Sequence, residues 1–79
     1  MSIAPEVATT TTRPGTRLTT RERHVLQALA NRGSTRAVAE QLGLKPTTVE
    51  THVRNMRAKT GFGTAVELVA WGLRQDLID

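Results

Sequence analysis

A gap of three residues constrains this chain more than any other feature. Only Gly43, Leu44 and Lys45 separate one helical pattern, ending at Leu42, from the next, opening at Pro46. Before the gap, Val38, Ala39 and Leu42 recur on one face of a short helix, with Ser34 placed to cap it. Gly43 offers a left-handed stop, and Leu44 the apolar residue that folds back after such a stop. After the gap, Pro46 suits the first helical position, where its missing N–H costs nothing. So short a turn leaves the two helices little freedom in the angle between them.

A short helix, a glycine-containing turn and a longer helix make a helix-turn-helix. The longer helix covers Lys45 to Lys59, KPTTVETHVRNMRAK. At about 100° per residue, Val49, Val53, Met56 and Thr60 share a narrow stripe suited to a small core. The far side carries Thr47, Glu50, Thr51, Arg54, Asn55 and Ala58. Short polar groups with an arginine suit a helix in the DNA major groove; an ordinary solvated face would look the same from this helix alone. With Pro46 first, Lys45 is the cap, although Lys has no acceptor and its charge opposes the helix dipole. A nearby phosphate would offset that cost. The other start has Thr47 as cap and Glu50 completing a capping box.

The flanks complete an all-α expectation of four helices. Thr19 with Glu22 forms a capping box ahead of Val25, Leu26 and Leu29, and Gly33 closes that helix. Thr64 with Glu67 forms a second box after the Gly61-Phe62-Gly63 break, with Phe62 expected to wedge between helices. The last helix is apolar on two sides. Val66, Val69, Ala70, Leu73 and Leu77 make one stripe; Leu68 and Trp71, with Ile78 near them, make the other. Full burial of both is hard to arrange in a chain this short, so Leu68 and Trp71 are expected to form a homodimer contact. Residues 1–17 read as a disordered tail, broken by Pro5, Pro14 and Gly15, and residues 18–79 as the folded domain. Arg13 and Arg17 are tail cations, with a phosphate-tracking arm as the alternative.

Charge supports a polyanion on one face. Arg36 to Lys59 holds five cations against two carboxylates, net +3, while Glu67 to Asp79 holds one cation against three, net −2. There are no cysteines, so no disulfide framework or thiolate site. His24 and His52 lie on different helices, and no Asp occurs before Asp76. No catalytic pair, metal site or cofactor is expected from such a set. No apolar run nears the ~18 residues of a membrane span, and no secretory signal is present; a cytoplasmic location is expected.

Four segments carry a family resemblance: LTTRERHVLQALANRG, AVAEQLGL, TTVETHVRNMRAKTG and AVELVAWGL. In order and gaps they resemble the GerE/LuxR-type helix-turn-helix domain of bacterial transcription regulators, over about Leu18 to Leu73. The most specific matches are Leu18-Thr19 with Arg21-Glu22, Val38-Ala39 with Leu42-Gly43, and Thr48-Val49 followed by His52-Val53 and Lys59. The resemblance implies a four-helix domain whose third helix enters the major groove and whose fourth can dimerise. It places base reading on Glu50, Thr51 and Arg54, and phosphate contacts around Lys45, Thr47, Thr48, Asn55 and Lys59. His52 falls at a structural position. Three departures stand out: Lys45 where Ser or Thr is usual, Ala37 where an acid is usual, and Thr60 where an apolar residue is usual. The resulting expectation is a sequence-specific, DNA-binding transcription regulator acting as a homodimer. The alternative is a helix-turn-helix adaptor that docks on another regulator or on RNA polymerase.

Overall fold

The computed structural model describes residues 17–79. Apart from Arg17, the expected tail and its Arg13 lie outside the described residues. Four helices follow in order: α1 (Thr20–Arg32), α2 (Thr35–Leu42), α3 (Pro46–Thr60) and α4 (Ala65–Arg74). No strand occurs among the described residues. No helix among them is long and apolar enough to cross a membrane.

Local chemistry sets each helix start. The Thr19 hydroxyl accepts from the Glu22 N–H at 3.0 Å, and the Glu22 carboxylate accepts from the Thr19 N–H at 2.8 Å. The Thr64–Glu67 box repeats this at α4. Ser34 caps α2 by accepting from the Ala37 N–H. At α3, Pro46 is the first helical residue and Lys45 the cap, with no side-chain hydrogen bond.

The turn between α2 and α3 closes as its residues suggest. Gly43 has φ +69°, where a Cβ would be strained. The N–H of Leu44 then bonds back to the Ala39 carbonyl at 2.9 Å, the signature of a Schellman stop. Leu44 packs against the core as that motif requires.

Helices α1 and α3 each pack against all the others, whereas α2 and α4 do not touch. The core therefore runs between α1 and α3. Val25, Leu26, Val38, Val49, Met56 and Leu68 are fully buried there. Thr60 is also fully buried, and its hydroxyl donates to the Met56 carbonyl at 2.9 Å. A satisfied hydroxyl is cheap to bury, so Thr60 holds a core position without loss of the stripe.

The fourth helix corrects one expectation. Leu68 is 0% and Trp71 7% exposed, so neither is available as a dimer contact. Trp71 meets Phe62 with ring centroids 6.1 Å apart, and Leu68 fills the gap to α1 and α3. The outward stripe is the other one: Val66 is 79% and Leu73 46% exposed. The chain ends by folding back over the inner stripe. Asp76 takes φ +57°, and the Leu77 N–H bonds to the Gly72 carbonyl at 3.0 Å. That reversal drops Ile78 into the core, and the Gln27 amide clasps the Asp79 backbone through both its oxygen and its nitrogen.

Gly72 is where this packing has least slack. A Cβ there would stand 2.8 Å from Leu26 Cδ2 and 3.3 Å from Ile78 carbons. Gly72→Val is therefore expected to cost about 2 kcal/mol by overpacking, read as a lower denaturant midpoint with unchanged slope. An unchanged midpoint would mean that the α1–α4 contact is loose.

Candidate nucleic-acid interface

The α3 stripe of Val49, Val53, Met56 and Thr60 is buried to 6% exposure or less, and this fixes the rotation of the helix. The opposite face then points outward as a matter of geometry. Glu50, Thr51, Arg54, Asn55, Thr47 and Ala58 are all exposed, and Thr48 is half-buried at the edge. Arg54 is near the middle of this face, with Thr47, Thr51 and Ala58 within about 60° of it around the axis. Among the described residues, the Arg54 guanidinium and the Glu50 carboxylate are in no ion pair, although they stand four residues apart on one helix.

Thr51 is more constrained. Its hydroxyl donates to the Thr47 carbonyl at 3.0 Å. The hydroxyl proton is thereby committed to the helix. What remains outward is a pair of acceptor lone pairs and a methyl group. This surface can accept from a base amino group or touch a thymine methyl.

Lys45 has no acceptor to offer the start of α3, so it does not neutralise the positive end of the helix dipole; it adds to it. Lys45, Pro46 and Thr47 are all exposed there. The front of α3 thus combines an ammonium, a hydroxyl and a helix dipole of one sign.

The structure gives Lys59 partners within the fold. Its ammonium donates to Glu22 Oε1 at 2.5 Å and to the Arg17 carbonyl at 3.1 Å. Glu22 is only 5% exposed and serves at the same time as the α1 cap. Lys59 therefore ties the end of α3 to the start of α1, while its side chain stays 36% exposed. Burial pushes the Glu22 carboxyl up. Hydrogen bonds from Lys59 and from the Thr19 backbone, the Lys59 charge and a side-chain hydrogen bond with Thr19 together outweigh it. The carboxyl is held below its ordinary value of 4.5.

Ala37 stands in the first turn of α2 and is half-buried, its N–H bonded to Ser34. His52 is half-buried at the flank of α3 and His24 is exposed. No group of three or more metal-ligating side chains occurs among the described residues. On α3 itself, one exposed cation lies outside the expected set: Arg57, in the last turn. Its only signal in the sequence is its spacing, three residues after Arg54.

Residues 16–71 match the family described as "Bacterial regulatory proteins, luxR family", which is one of regulators and not of enzymes. A probable transcriptional regulatory protein NarL of Mycobacterium tuberculosis is 40% identical over 62 residues, covering 78% of this chain and 29% of that protein. The transcriptional regulatory protein MctR of Rhizobium johnstonii is 34% identical over 61 residues, 77% of this chain and 28% of that protein. UhpA of Escherichia coli, also a transcriptional regulatory protein, is 43% identical over 51 residues, 65% of this chain and 26% of its own length. The chain thus spans less than a third of each of these relatives.

The Glu22–Lys59 tie has a pH signature. A carboxyl whose folded pKa is depressed contributes stability that is complete above its unfolded pKa. That stability is lost as pH falls from about 4.5 through the lower folded value. Glu22→Gln should lower stability at neutral pH and flatten its fall at acid pH, measured by urea unfolding across the range. Lys59→Met should cost about 2 kcal/mol, because it leaves a buried carboxylate without its cation. A Lys59→Met protein as stable as the parent would return Lys59 to the solvent-facing set.

Proposed function

We propose that this chain, which belongs to the luxR family of bacterial regulatory proteins, binds double-stranded DNA as a transcription regulator by seating α3 in the major groove. One observation carries the reading. Arg54 is exposed and unpaired by any described carboxylate, at the centre of a row of short polar groups, while the reverse of the same helix is locked in the core.

The chemistry of that row assigns roles. The Arg54 guanidinium matches guanine O6 and N7. The Glu50 carboxylate matches the cytosine amino group. Four residues of helix separate them, a rise of about 6 Å, or roughly two base-pair steps. Thr51 presents its acceptor and methyl beside them. Lys45, Thr47, Thr48 and Asn55 meet phosphates and set the register. Lys59 is left out of this group, since Glu22 holds it.

Two-fold binding requires a second surface. The outward stripe of α4, Val66 with Val69, Ala70 and Leu73, is the homodimer face in this reading. It borders a shallow apolar cleft of about 220 Å³ lined by Leu29, Ala30, Gly33, Ala65, Val66 and Val69. Exposed valine and leucine beside an apolar hollow suit a self-complementary contact.

Selection of bound sequences from random DNA tests the main claim. Arg54→Ala should then lose about 1–3 kcal/mol on the selected site and much less on random duplex. Equal losses on both would reduce Arg54 to a phosphate contact, and affinity indifferent to salt would favour the protein-binding adaptor. For the dimer, Val66→Asp with Leu73→Asp should shift sedimentation toward monomer and weaken binding to a two-fold site more than to a half-site. Unchanged sedimentation and binding would remove α4 from the contact.

A further inference from the structure

Arg57 lies on the flank of α3 to which the resemblance assigns no phosphate contact. Taking Arg54 as reference and about 100° per residue, Asn55, Thr48 and Lys59 lie roughly 100–140° to one side. Glu50 and Arg57 lie roughly 40–60° to the other. A helix in the major groove is bounded by two sugar-phosphate strands, one along each flank. On this second flank the only other charge on α3 is the Glu50 carboxylate, which repels phosphate. Arg57 is the cation available there, near the end of the helix where it leaves the groove.

A recess accompanies it. Arg54, Arg57, Ala58, Gly61 and Phe62 line an open cleft of about 380 Å³. No carboxylate lines it, and the Arg57 guanidinium has no ion pair among the described residues. Ala58 and Gly61 leave space between the two arginines and the half-buried Phe62 ring. A guanidinium fork over such a recess matches two oxygens of one phosphate.

We propose that Arg57, in the cleft it shares with Arg54, holds a phosphodiester of the DNA strand opposite the one met by Thr48 and Asn55. The inference rests on the major-groove reading and extends it to the second strand. The cleft adds affinity for any sequence and reads none. An acidic protein segment is the competing occupant; continuity with the exposed row of Glu50, Thr51 and Arg54 favours DNA.

The test compares wild type, Arg57→Gln and Ala58→Glu on random and selected duplexes, by fluorescence anisotropy between about 50 and 200 mM salt. Arg57→Gln should bind both duplexes about three- to tenfold more weakly, with the salt slope shallower by about 1 and base preference unchanged. Ala58→Glu, which places a carboxylate in the cleft, should lose more. Both positions are exposed, so unfolding midpoints should stay at the wild-type value. Wild-type affinity and slope in Arg57→Gln, with Arg54→Ala still discriminating, would overturn the cleft assignment and leave the DNA reading standing. A loss confined to the selected duplex would make Arg57 a base reader and overturn it too. Failure of the wild type itself to bind either duplex would remove the underlying reading. Loss of binding to an acidic peptide, with DNA affinity intact, would assign the cleft to a protein partner instead.

Discussion

One carboxylate oxygen closes two distant ends of this fold. Glu22 Oε1 accepts from the Thr19 N–H and from the Lys59 ammonium, residues at the start of α1 and the end of α3. The first bond defines where α1 begins. The second fixes where α3 ends relative to it. Because Glu22 is nearly fully buried, both partners are needed to keep its charge tolerable. Position and rotation of the outward face of α3 both follow from this tie and from the Val49–Val53–Met56 stripe beside it.

Around this central pair the two remaining helices divide the labour. The three-residue turn through Gly43 sets α2 against the front of α3. Helix α4 lies against α1 and α3 and makes no contact with α2. Its inner side is sealed by Trp71, Phe62 and the returning Ile78. The outer side is left apolar and uncovered. The exposed polar row of α3 and the exposed apolar stripe of α4 thus lie on different helices and share no residues.

What could be read from the chain alone divides by distance along it. Caps, boxes and glycine stops depend on groups three to five residues apart, and these were legible: Thr19–Glu22, Ser34, Gly43 and Thr64–Glu67 all stand as read. The rotation of α3 was legible too, because only one of its faces is apolar. The sidedness of α4 was not. Both of its stripes are apolar, and the choice turns on Gly72, which lets α1 approach, and on the Asp76 reversal that returns Ile78. Neither has a periodic signature. The Lys59 contact was not legible for the same reason: its partner Glu22 is 37 residues away, and helical spacing says nothing about it. The Gln27 clasp on Asp79, 52 residues apart, was equally invisible. Base-reading positions were available only through the resemblance, since an outward polar row looks alike whether it faces water or a groove.

The uncapped front of α3 has a further meaning. Three of the four helices begin on a hydroxyl that accepts from their own backbone; α3 begins on Lys45, which cannot. Its first turn is held by proline geometry and by the Thr48 and Val49 N–H groups, which bond to the Lys45 carbonyl at 3.0 and 3.2 Å, with no side-chain cap. An anion ahead of the helix would supply the acceptor that Lys45 lacks, so a bound polyanion would also serve as the cap of the helix it meets.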